Sequence, residues 1–191
     1  MIDDSGIHGV GTADGGTYKN FKIAGSAIVH EDCKAEKIKI AGNADFQKSV
    51  TAKSFKVAGR CFVGGNIKVD KLLVAGSFTA KGNIDAEYAN FAGTVQIEGD
   101  VNCEEFHAEL TNSSFKNIYG ESIVFNKNNA ISSKTKIEEI AATKIEIENV
   151  SVKKVSGEFV TIGDGCVVEL VEYNNTLTLA RNVKITRIVK I

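Results

Sequence analysis

Between Phe21 and Glu105 a unit of 17 residues is written five times without an insertion. The marker is an apolar-Ala-Gly triplet: Ile23-Ala24-Gly25, Ile40-Ala41-Gly42, Val57-Ala58-Gly59, Val74-Ala75-Gly76 and Phe91-Ala92-Gly93. A unit this short cannot bury its own apolar face, so it must stack on its neighbours, and the chain is restricted to a solenoid.

Aligning the five units leaves six columns that are apolar or small in nearly every copy, for example Val29, Phe46, Val63, Ala80 and Ile97. The columns form three pairs, and the members of each pair stand two residues apart. That is strand spacing, with both side chains on one face. A break of three or four residues follows each pair, so one unit reads as three short strands joined by three corners. Gly25, Gly42, Gly59, Gly76 and Gly93 occupy the first corner, where a positive φ is accepted without steric cost. Gly65-Asn66, Gly82-Asn83 and Gly99-Asp100 supply turn chemistry at another. One unit is then one coil of a triangular parallel β-helix. A helical solenoid with doubled 17-residue units is the competing reading, and the two-residue rhythm with its Val, Ile and Phe content argues against it.

Eighteen glycines and no proline fit this architecture. Stacked coils need many corners and need a backbone N–H at almost every strand position, which proline lacks. Residues 1–20 are rich in glycine and poor in apolar side chains, and read as a flexible tail ahead of a β-helix over 21–191. That stretch has neither a basic n-region nor an apolar run, so a cytoplasmic location is expected. Beyond Glu105 the period weakens: Leu110 and Lys127 replace the corner glycine, and Thr111–Ser114 is polar, marking the expected place for a bulge or small loop. From Ile145 the coil tightens to about 15 residues, and Val160, Ile162, Cys166 and Val168 recur 17 residues on as Leu177, Leu179, Val183 and Ile185. About ten coils make a rod near 48 Å long at about 4.8 Å per coil.

Candidate chemistry is sparse. Cys33, Cys61, Cys103 and Cys166 fall in inward columns and read as small buried hydrophobes; a metal or disulfide role has no CxxC spacing behind it. His8, His30 and His107 are scattered along the chain, and Gly11–Gly16 lacks the Lys-Ser/Thr of a phosphate loop. The hexapeptide acyltransferases run on six-residue repeats rather than on 17. No enzyme, cofactor or metal site is therefore expected. A net charge of −1 gives no reason to expect nucleic acid. The outward residues form charge columns instead, one reading Lys22, Lys39, Lys56 and another Glu36, Lys53, Asp70, Glu87, Glu104. Their plainest role is solvation of a stacked sheet, and contact of the lysines with lipid head groups would be weak.

The apolar-Ala/x-Gly corner, the Gly-Asn/Asp turns, the 17-residue coil and the ending Ile162–Tyr173 resemble the bactofilins, polymer-forming bacterial cytoskeletal proteins, in a longer Firmicute-type branch. The resemblance implies a single-stranded, right-handed triangular β-helix that self-assembles end to end, without nucleotide, into filaments supporting cell shape, polar organisation or motility. Copies of the chain itself would be the main partner, with other cytoskeletal or cell-envelope proteins besides. Two departures stand out. Family members have about six coils between proline-containing tails, and some have an apolar membrane-targeting start where this chain has Met1-Ile2-Asp3-Asp4. A non-polymerising binding module, like the β-helical half of the bacterial septum-site inhibitor, is the alternative.

An open β-helix leaves unpaired N–H and C=O groups on its terminal coils, the template on which another chain adds. The chain stops in mid-strand at Thr186–Ile191. An end-to-end contact is therefore expected through Val189 and Ile191, supported from the core by Leu177, Leu179, Ile185 and Ile188.

Overall fold

The computed structural model describes residues 2–126 and 135–191. Its elements are β1 (Ile2–Ala13), β2 (Gly16–Val29), β3 (Cys33–Phe46), β4 (Val50–Val63), β5 (Ile67–Ala80), β6 (Ile84–Leu110), β7 (Ser114–Phe125), β8 (Thr135–Ile147), β9 (Val150–Ile162), β10 (Val167–Leu179) and β11 (Lys184–Lys190). All eleven lie in one sheet in sequence order, each of β2 to β10 hydrogen-bonded to the element before and the element after it. Every pairing is parallel, and consecutive elements are only a few residues apart, so the chain must complete a circuit within each element. The result is a parallel β-helix of about eleven turns, with no helix among the described residues.

The register is the 17-residue period itself: Phe21 stacks on Ile38, Ile38 on Phe55, Phe55 on Leu72 and Leu72 on Ala89. Except at the half-buried Ala86, the inward columns are buried along the run, with Val29, Phe46, Val63 and Ala80 fully enclosed. Packing within each coil is balanced by volume. Each of the five regular coils holds one phenylalanine among its last four inward positions, at Phe21, Phe46, Phe55, Phe78 and Phe91, and places an alanine or cysteine at another. The large ring moves from column to column while the volume of each coil stays nearly constant, which keeps the interior close-packed without forcing rotamers. From Phe46 onward the rings touch edge-on or tilted: Phe46–Phe55 at 5.8 Å, Phe55–Phe78 at 6.4 Å and Phe78–Phe91 at 6.0 Å.

The corners carry two ladders. Gly25, Gly42, Gly59, Gly76 and Gly93 all have φ between 119° and 136°. A Cβ on any of the last four would be driven into the carbonyl oxygen of the glycine one coil earlier. At another corner, side-chain oxygens of Asp32, Ser49, Asn66 and Asn83 each accept the backbone N–H of the residue 17 positions on, at 2.9–3.2 Å. Backbone donors at a bend, which would otherwise lack a ladder partner, are satisfied there.

Of three expectations, two need correction and one is met in part. Residues 2–13 and 16–20, expected as part of a flexible tail over 1–20, are instead paired strand: β1 pairs with β2 over its length, Ile7 on Ile23 and Gly9 on Gly25, and makes the first of eleven coils where ten were expected. The spacing there is 16 rather than 17, and Ser5, Gly11 and Ala13 stand over Phe21, Ala27 and Val29, so the first coil hides its register behind small side chains. Secondly, Thr111–Ser114 carries the expected irregularity as one extra residue in a tight corner and not as a loop, since Gln96 pairs with Ser114 at a spacing of 18 while Asp100 pairs with Asn117 at 17. Leu110 is buried, Thr111 N–H donates to Gly93 O at 2.8 Å, Asn112 takes a φ of 45°, and the buried Ser113 hydroxyl receives the Val95 N–H at 2.8 Å. Thirdly, the long coil comes next: Ile118 pairs with Ile140 and Phe125 with Ile147, 22 residues apart, with the extra length between Asn126 and Thr135. Lys127 lies outside the described residues. The 15-residue coil is as expected, Ile145 pairing with Val160 and Ile147 with Ile162.

Candidate functional site at the ends of the rod

The two end coils differ from the interior in what they leave uncovered. At the first, Ser5, Gly11 and Ala13 lie over the core and, with Ile7, close Phe21, Ile23 and Val29 to solvent. That end face is small-residue and nearly flat. At the other end the inward columns emerge: Leu179 is 44% exposed and Ile188 45%, while Leu177, Val183 and Ile185 are half-buried. The columns these residues continue are otherwise buried, since Leu177 stands on Val160, Leu179 on Ile162 and Ile185 on Val168.

The six residues expected to make the end contact fall into two groups. Leu177, Leu179, Ile185 and Ile188 do not support the contact from the core; they are the apolar face itself. Val189 stands on Glu172, in an outward column, and so belongs to the flank. Ile191 is 66% exposed, with its N–H donating to Tyr173 O at 2.9 Å. The residue pairing shows the difference: Ile188 continues the inward column of Val155 and Val171, and Val189 does not. Counting in twos from Val183 marks Ile185 as inward, but the corner that follows changes phase, and the last few residues were too short to show it. β1 and β11 each have a neighbour on one side only, which leaves one edge of each without sheet partners among the described residues.

All four cysteines are buried as reduced thiols. Burial pushes the Cys33 and Cys103 thiols up from an ordinary 9.0 to about 12 and raises Cys61 as well, with Asp45 adding to it. A thiol held neutral in this way is a poor nucleophile and a poor metal ligand. Its folded pKa lies above its unfolded one, so its contribution to stability is fully present below the unfolded value and is lost as pH rises toward about 12. The melting temperature should therefore fall between about pH 9 and about pH 11. An unchanged melting temperature over that range would contradict the assignment. Chelator and reductant should leave the fold intact, and stoichiometric zinc in purified protein would reverse this reading.

The histidines make separate local contacts. His30 Nδ1 lies 3.0 Å from Gln47 Oε1, the His107 ring sits 5.7 Å from that of Tyr88, and His8 is exposed. Among the described residues no three His, Cys, Asp or Glu side chains are placed to hold a metal ion, and no helix is long and apolar enough to cross a membrane. Comparison of the chain with protein-family models, with curated proteins and with solved structures gives no match.

Proposed function

We propose that the chain is a non-enzymatic scaffold of bactofilin type, assembling with copies of itself end to end into filaments in the bacterial cytoplasm, where they support cell shape, polar organisation or motility. The observation that carries this reading is the exposed apolar face of the last coil, built from Leu177, Leu179, Ile185 and Ile188. Such a face with an unpaired strand edge is matched in shape and hydrogen bonding by another β-helix end, because every coil in the rod already stacks in that way. The reading needs no cofactor and no nucleotide, since strand addition and apolar burial drive the contact.

A flank-docking module is the second reading, favoured by Phe159 and Ile28, both about two-fifths exposed on outward columns. The two separate on one pair of substitutions. Leu179→Asp with Ile188→Asp should abolish or sharply shorten assemblies while shifting stability by only about 1 kcal/mol, because both side chains are already half in water. Val189→Asp, on the flank, should leave assembly length unchanged. Filaments of wild-type length from the double variant would remove the C-terminal face from the contact.

A further inference from the structure

Each regular coil has three sides, each an inward pair with an adjoining corner, and charge is divided unequally among them. Over β2 to β6 the side made by residues 20–26, 37–43, 54–60, 71–77 and 88–94 carries six cations, Lys22, Lys37, Lys39, Lys56, Arg60 and Lys71, and no carboxylate. The next side, 27–32 and its repeats to 95–100, carries two lysines and five carboxylates. The remaining side, 16–19 and its repeats to 84–87, carries four lysines and four carboxylates. A chain with a net charge of −1 therefore has one wholly cationic side. The block is bounded: Asp4 stands at its margin, paired with Asn20, and Glu105 and Glu109 follow in the coil after it.

Lys22, Lys39 and Lys56 run down the middle of this side in direct register, about 4.8 Å apart. Lys37 and Lys71 stand at the corner before them and Arg60 at the corner after. All six are exposed, and among the described residues none forms an ion pair with a carboxylate. Lys71 lies instead over the Tyr88 ring, at 5.0 Å. Like charges opposite one another on adjacent strands are destabilising, a cost that an anionic surface laid on the ladder would relieve. Beside the lysines runs a column of exposed alanines, Ala24, Ala41, Ala58, Ala75 and Ala92, in a shallow recess of about 690 Å³. Side chains this small let the lysines beside them meet a plane together.

We propose that this side binds the surface of a bilayer containing acidic phospholipids, with the rod lying along the membrane and not crossing it. Clusters of about four to eight Lys or Arg are what anionic head groups attract, each cation being worth about fivefold in binding near the surface. Three lysines would hold lipid weakly, and the whole side carries twice that charge. All the carboxylates of these five coils lie on the other two sides, so a planar partner meets cations alone. Protein-binding surfaces are depleted in lysine and centre on large aromatic or arginine anchors, whereas the centre here is lysine and alanine. A single nucleic acid strand needs outward rings for its bases to stack on, and a duplex needs an element projecting into a groove. This side is sheet with one outward ring, Tyr88, which Lys71 covers. The contact spans five coils, about 24 Å, and being electrostatic it weakens with salt.

The proposal stands apart from end-to-end assembly, so it is tested on the wild-type chain and on the chain carrying Leu179→Asp and Ile188→Asp. Each is floated in a density gradient with vesicles of phosphatidylglycerol and phosphatidylcholine in equal parts, or of phosphatidylcholine alone. Both chains should float with the acidic vesicles at low salt, and with neither vesicle when the ionic strength is raised several-fold. Lys39→Gln with Lys56→Gln should weaken binding on the order of thirtyfold, and the corresponding glutamates should weaken it further. Lys34→Glu with Lys68→Glu makes the same change in net charge on the evenly charged side, and should weaken binding less than about fivefold. No flotation with acidic vesicles at low salt, flotation with both lipids alike, or equal losses from the two glutamate pairs would each overturn the proposal. Binding to a DNA duplex or to poly-glutamate as tight as to the acidic vesicles would do so too, pointing to a soluble polyanion.

Discussion

Val63→Asp is expected to unfold β4 and the coils on either side of it, at a cost of about 4 kcal/mol. Val63 is fully enclosed, with Phe46 stacked on one side and Ala80 on the other. A carboxylate there has no hydrogen-bonding partner among the apolar columns, and no buried cation among the described residues to pair with. In a solenoid each coil is stabilised by its neighbours, so the damage spreads along the rod instead of staying local. Far-ultraviolet circular dichroism on heating, with a solubility assay, would show it. Wild-type melting from this variant would mean that Val63 does not face inward.

Gly59→Val should come close to it in effect, at about 3 kcal/mol or more, for a different reason. Gly59 has a φ of 132°, a backbone conformation that residues with a Cβ rarely adopt, and its Cβ position is taken by the carbonyl oxygen of Gly42. Relief would require two coils to separate at that corner, breaking the register on which both ladders depend. Ala58→Val one residue away is the control. Ala58 is exposed, and the change should stay within about 0.5 kcal/mol. If the two substitutions melt alike, the glycine column owes its recurrence to something other than backbone geometry.

Much of the fold was legible because a solenoid repeats its physics every coil. The inward columns, the corner glycines and the 15-residue coil could be read because five near-identical copies fix the phase, and departures from it can then be measured. β1 was missed where that redundancy ends. Ile7-His8-Gly9 is a worn copy of the marker triplet, 16 residues before Ile23-Ala24-Gly25, but its neighbours Ser5, Gly11 and Ala13 are too small to announce an inward column. The ladder of Asp32, Ser49, Asn66 and Asn83 was visible as polar residues at one interval, yet composition alone suggested only a turn. The end face was harder still. Which of Ile188, Val189 and Ile191 joins the core depends on the phase after the last corner, and no following coil repeats it.

End-to-end assembly is tested most directly by negative-stain electron microscopy of purified wild-type chain at a series of concentrations. Filaments of constant width that lengthen as concentration rises are the expected result. Isolated rods about 50 Å long at every concentration and salt would contradict the account.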